Sequence, residues 1–182
     1  MTPAARLSAA IEVIHIIDAN RIPAAQALKE WGTAHRFAGS GDRAAIAGLV
    51  WDVLRRRSSS AWLMDADTAR ARVLGMLRLE RGMDTEAIAA LCDGGRFAPE
   101  PLSDAERAAL TSRSIEGAPA HIAGDYPEWL DTHLAAVFGD DRVAEATAMA
   151  SRAPLDLRVN TLKGKREKVL ASLRHLGAKE TP

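Results

Sequence analysis

The sequence predicts an all-α chain that ends in a single strand–helix unit. Three observations lead there. Apolar residues recur at helical spacing over most of the chain. Aromatic residues are only 4% while Ala is abundant, which favours helices packed through small residues over a β-sandwich. One segment alone, Leu155 to Thr161, alternates apolar and polar side chains at the period of a strand.

The elements follow in order. Thr2-Pro3 is an N-cap and first helical residue, and Leu7, Ile11, Val13, Ile14 and Ile17 carry the helix to Ala19. Pro23 opens a second helix with Ala24, Ala27, Leu28 and Trp31 inward, and Gly32 ends it. Phe37 to Gly41 is a loop. Asp42 caps a third helix, in which Ala45, Ile46, Leu49, Val50, Val53 and Leu54 form one apolar face. That helix either continues through Met64 or breaks at Ser58-Ser59-Ser60. Asp67-Thr68 caps the next, with Val73, Leu74 and Leu77 inside and Gly82 after it. A short helix spans Thr85 to Leu91. Ser103 and Glu106 have the spacing of a capping box. Pro127 starts a helix with Trp129, Leu130, Leu134, Val137 and Phe138 on one face, and Asp140-Asp141 caps another up to Ser151. After the Leu155–Thr161 strand come a basic turn, Lys163 to Lys168, and a helix from Glu167 to Leu176 stopped by Gly177. A lone strand cannot make a sheet, so residues 154–182 read as the first unit of an incomplete α/β subdomain.

Composition excludes several classes of function. With 182 residues and one Cys, the chain has room for a core but no intramolecular disulfide and no Cys-based metal site. No apolar run approaches the length of a membrane helix, and the N-terminus lacks a secretory signal, so the reading is cytoplasmic with no membrane partner. The five His are scattered without metal-ligand spacing, and helix capping accounts for the paired acids. No catalytic, cofactor-binding or metal-ligating residue emerges from the pattern.

The charge is unevenly spread. Residues 1–60 hold 8 basic and 5 acidic side chains, residues 61–150 hold 8 and 16, and residues 151–182 hold 8 and 3. The segments therefore carry +3, −8 and +5. Two basic groups stand out. Arg55-Arg56-Arg57, with Arg43 near the start of the same helix, is a cluster able to neutralise phosphates, or else a solvated helix end. Arg158, Asn160, Lys163, Lys165, Arg166 and Lys168 would line the polar face of the strand and its adjoining turn, a pattern suited to a nucleic-acid backbone.

Two stretches carry a family resemblance. Gly41-Asp-Arg-Ala-Ala-Ile-Ala-Gly-Leu-Val-Trp-Asp-Val-Leu-Arg55 resembles the central helix of NusB-like domains. Tyr126-Pro-Glu-Trp-Leu130, Phe138-Gly-Asp-Asp141 and Arg152-Ala-Pro-Leu-Asp-Leu-Arg-Val-Asn-Thr-Leu162 together resemble the N-terminal region of the Sun/RsmB family of ribosomal RNA cytosine-5 methyltransferases. The resemblance implies a NusB-like RNA-binding domain over residues 1–125, linker helices over 126–153, and the start of the subdomain preceding a methyltransferase core over 154–182. It implies ribosomal RNA and the chain's own catalytic domain as partners, and S-adenosylmethionine as the cofactor of the full-length enzyme. The family's two catalytic cysteines have no counterpart here, because Cys92 lies in the helical region without a Pro-Cys or Thr-Cys motif. The expected function is thus an RNA-binding module, with these 182 residues not catalytic alone. The alternative is a protein-interaction helical domain, either a NusB-like transcription or antitermination factor or a docking domain.

Overall fold

The computed structural model describes residues 1–153 and 155–181. The domain start read at Pro154, and Pro182 itself, lie outside the described residues. The chain divides into two units, Met1–Ser151 and Arg152–Pro182.

The first unit is helical throughout its regular structure. It contains α1 (Pro3–Asn20), α2 (Ala24–Ala34), α3 (Ser40–Arg55), α4 (Arg57–Met64), α5 (Ala69–Leu79), α6 (Thr85–Leu91), α7 (Asp104–Ser112), α8 (Ala120–Ala123), α9 (Asp131–Phe138) and α10 (Arg142–Ala150). Short 3-10 turns lead into α9 and α10. The starts of three helices are set by local chemistry. Thr2 Oγ1 accepts from Ala5 N, Thr68 Oγ1 from Ala71 N, and Ser103 and Glu106 complete the reciprocal capping box. Each cap satisfies an amide that the first helical turn leaves without a partner.

α1 packs on α2, α3 and α5, and α5 packs closely on α4. Leu7, Val13 and Ile14 of α1 meet Ile46, Val50 and Val53 of α3 and Val73, Leu74 and Met76 of α5 in one core, all essentially without solvent contact. In α3 the buried apolar positions recur every three or four residues, as burial of one helical face demands. The crossing of α4 and α5 is tight. A Cβ added at Gly75 would lie 2.6 Å from the Ser60 carbonyl oxygen. Gly75 is there because no side chain fits.

Several boundaries depart from the sequence reading. α2 continues through Gly32 to Ala34, with Gly32 buried beside the Arg43 side chain. Asp42 does not cap α3. Gly39 is the N-cap, and the Asp42 carboxylate in the first turn accepts from the N-terminal ammonium and Arg6. The long third helix breaks at Arg56, giving separate α3 and α4. The apolar face read around Pro127 is largely uncovered. Trp129 and Val137 are exposed and Leu130 and Leu134 half-buried, since this two-turn helix packs only on short neighbours.

The second unit contains α11 (Arg166–Ser172) and a 3-10 turn, Arg174–Leu176, closed by Gly177 at φ 71°. The strand expected over Leu155–Thr161 is not formed, and no strand occurs among the described residues. The alternation of Leu155, Leu157 and Val159 is real. A strand nevertheless exists only through ladder hydrogen bonds to a partner, and residues 155–160 have none. Leu155 and Leu157 are accordingly exposed. The helix read from Glu167 to Leu176 is shorter than expected, and its last turn tightens to 3-10 geometry.

Candidate nucleic-acid interface

The arginines at the α3–α4 break are each committed to a partner. Arg55 pairs with Asp52, a buried carboxylate that Arg81, in the turn after α5, also holds. Arg56 donates from Nε to Glu80 at 2.8 Å and stands 3.9 Å from Asp125. Arg57 reaches Asp18 of α1 at 3.3 Å. Asp18 and Asp67 also bracket Arg72, which is buried. Arg43 donates from Nε to the Ala38 carbonyl at 2.9 Å, fixing the α2–α3 loop. The acids that occupy this cluster come from α1 (Asp18), α3 (Asp52), the two ends of α5 (Asp67 and Glu80) and the segment after α8 (Asp125).

Exposure separates the four. The Arg56 side chain is 15% exposed, whereas Arg57 is 48% exposed. An Arg56→Ala change removes the cation facing Glu80 and the almost fully buried Asp125. It is expected to cost about 2 kcal/mol of unfolding free energy, because a buried charge loses its partner. Arg57→Ala breaks an exposed pair and should stay within about 0.5 kcal/mol. Urea denaturation of the two variants checks the contrast; equal costs would refute it.

Asp125 anchors this region. Its side chain is 1% exposed, and it accepts from Ser59 N at 2.8 Å and Ser59 Oγ at 2.6 Å. Burial pushes its carboxyl above the usual Asp range, although the bonds from Ser59 and the Arg56 charge oppose that. The unfolded chain therefore loses this proton first as pH rises. Stability associated with Asp125 is full below the unfolded pKa and falls as pH rises through the folded one. Asp125→Asn, which tolerates the left-handed backbone at this position (φ 55°), should flatten that part of the stability–pH curve. Thermal unfolding between pH 3 and 7 reads it; identical curves for both proteins would contradict the assignment.

The C-terminal basic residues are differently placed. Arg158, Lys163, Lys165 and Lys168 are exposed and unpaired among the described residues. Arg166 is held by Glu180 at 3.0 Å and by the Thr181 carbonyl at 2.9 Å. Asn160 does not present its amide from a strand. Its Oδ1 accepts from Leu162 N at 3.1 Å, and its carbonyl accepts from Lys163 N and Gly164 N. Asn160 thus builds the turn that displays the lysines.

A glycine-rich loop holds a cofactor where its backbone leaves room for close approach. Gly39-Ser-Gly41 does open α3, but Asp42 puts a carboxylate into that first turn. The N-terminal ammonium and Arg6 bind it and hold its pKa below the usual range. Gly94 turns against Pro101, whose Cδ would lie 3.0 Å from an added Cβ. Among the described residues there is also no cluster of metal-ligating side chains. No described helix is long and apolar enough to cross a membrane.

Residues 126–182 match the family model of the ferredoxin-like domain of RsmF/B-like methyltransferases. The matched residues include the C-terminal basic segment. No curated protein and no solved structure matches the chain.

Proposed function

We propose that this chain is the RNA-recognition module of an S-adenosylmethionine-dependent ribosomal RNA (cytosine-5) methyltransferase. On this reading Met1–Ser151 includes a NusB-like bundle, and methyl transfer belongs to a catalytic domain outside these residues that supplies the cofactor site. The carrying observation is that the matched segment, residues 126–182, displays Arg158, Lys163, Lys165 and Lys168 without acidic partners among the described residues. Cations so displayed gain affinity for phosphates by releasing counterions. Arg57 and Arg166 add exposed guanidinium groups that can exchange a carboxylate for a phosphate. Arg43, Arg55 and Arg56 act instead by holding the bundle together. The setting is the cytoplasm, where ribosomal RNA is the partner.

Fluorescence anisotropy with a labelled small-subunit ribosomal RNA fragment tests the proposal. Affinity should fall steeply with salt, with a log–log slope of about −3 for roughly four phosphate contacts. Absence of binding at low salt would refute it. The acidic stretch, −8 over residues 61–150, favours a second reading as a docking domain for a basic protein surface. Co-elution with the separately expressed catalytic domain, without RNA affinity, is its signature.

A further inference from the structure

The first unit holds an open cavity of about 700 Å³ that none of the basic residues of the candidate interface lines. α1 supplies one wall, with Glu12 along it. Trp31 and His35 of the α2 end supply another. Phe37 and the Arg96-Phe97 pair stand at its edge. The chain has eight Trp, Tyr and Phe residues, and three of them line this one cavity. Phe37 is 72% exposed and Phe97 66% exposed. Large apolar side chains held together in water mark a recognition surface rather than a core.

The rings are held in place. Trp31 and His35 stack with centroids 4.2 Å apart, and His35 meets Phe37 edge-on at 5.7 Å. Arg43 fixes the Phe37 loop through the Ala38 carbonyl, and Ser8 Oγ donates to the Phe97 carbonyl at 2.9 Å. The Arg96 guanidinium lies 5.0 Å over the Phe97 ring. Glu12 Oε2 accepts from Trp31 Nε1 at 2.8 Å, which leaves Oε1 to accept from a ligand.

We propose that this cavity receives an unpaired RNA base, stacked on Phe37 and Phe97, with Arg96 beside its phosphate and Glu12 accepting from an exocyclic amino group. The inference rests on the RNA-binding reading and adds to it a site for single-stranded RNA. Aromatic platforms flanked by arginine take bases of any kind, whereas a carboxylate favours bases that carry an exocyclic amino group, such as cytosine, over uracil, which has none. A peptide segment would also find apolar surface here. It has no need of flat, pinned rings beside a guanidinium and a carboxylate.

Two measurements on the whole chain decide the matter. In the first, Phe37→Ala and Phe97→Ala are each compared with wild type for binding to a cytidine-rich single-stranded oligoribonucleotide and to an RNA duplex. Each variant should bind the single strand roughly 5- to 100-fold more weakly, with an unchanged salt slope and unchanged duplex binding. In the second, amide NMR follows a titration with cytidine monophosphate and uridine monophosphate. The Trp31 indole N–H and the Phe37 and Phe97 amides should shift, more readily with cytidine. Steep salt-dependent RNA binding with no loss in either variant and no shifts would overturn the cavity proposal and leave the RNA-binding reading intact. Nucleotide shifts at these residues without affinity for ribosomal RNA would uphold the cavity and remove the broader reading. Shifts caused only by the separately expressed catalytic domain would overturn the cavity proposal in favour of a protein contact.

Discussion

Replacing Gly75 with valine is expected to lower the unfolding free energy by roughly 3 kcal/mol, a large share of the 5–15 kcal/mol typical of a domain. The cause is the α4–α5 contact. An added Cβ at Gly75 would meet the Ser60 carbonyl oxygen at 2.6 Å, Ser60 Cα at 2.8 Å and Ser60 Cβ at 2.9 Å. Two of those atoms are backbone, so no rotamer change relieves the clash. The helices must separate, and Val73, Leu74 and Met76 lose packing as they do. For a chain of this length the midpoint should drop by about 6–12 °C. Gly48, in the middle of α3, is the control. Nothing lies within 4 Å of a Cβ there, so Gly48→Ala should raise stability by about 0.5–1 kcal/mol through helix propensity alone. Calorimetry on both variants gives opposite signs if the packing is as described. A wild-type midpoint for Gly75→Val would contradict it.

Exchanging Lys163, Lys165 and Lys168 together for alanine is expected to weaken RNA binding by roughly 10- to 100-fold near 50 mM salt. Each removed phosphate contact should also reduce the magnitude of the salt slope by about 0.7–0.9. The three side chains are exposed and unpaired among the described residues, so their loss should change stability by no more than about 0.5 kcal/mol. That separates the effect from misfolding. The same experiment on Arg56→Ala should show the reverse, reduced stability with an RNA affinity that the folded protein retains. The fluorescence-anisotropy titration reads both. A triple variant with wild-type affinity and slope would remove the lysines from the interface.

Local signals were legible in the sequence, and long-range ones were not. Thr2, Thr68 and the Ser103–Glu106 pair announce their helices because a cap needs only residues three apart. The aliphatic faces of α3 and α5 are equally plain. Gly32 reads as a stop, but α2 runs through it to Ala34, and the glycine lies buried beside Arg43 of another helix. Asp42 has the chemistry of a cap. The N-terminal ammonium, 41 residues away in sequence, holds it instead. The strand over 155–161 has the right alternation, yet its existence depends on a partner that no local pattern reports.

The arginine cluster shows the same division. Asp52 lies three residues before Arg55, a spacing that a helix brings together, so that pair could have been found. Asp18, Glu80 and Asp125 lie 39, 24 and 66 or more residues from the groups they engage, and only the packing of α1, α4, the end of α5 and the segment after α8 assembles them. The aromatic cavity was missed for a related reason. Phe37 and Phe97 each sit in a turn-rich stretch, where one exposed ring carries no signal. Their meaning comes from lining the same space as Trp31 and His35.

The central claim is that the segment matched to the methyltransferase family faces RNA through its basic turn. Hydrogen exchange of the whole chain, read by mass spectrometry with and without a ribosomal RNA fragment, tests it most directly. Residues 158–168 should exchange more slowly in the complex, while the core amides of α1, α3 and α5 stay unchanged. Unaltered exchange across residues 155–176 at saturating RNA would contradict the claim.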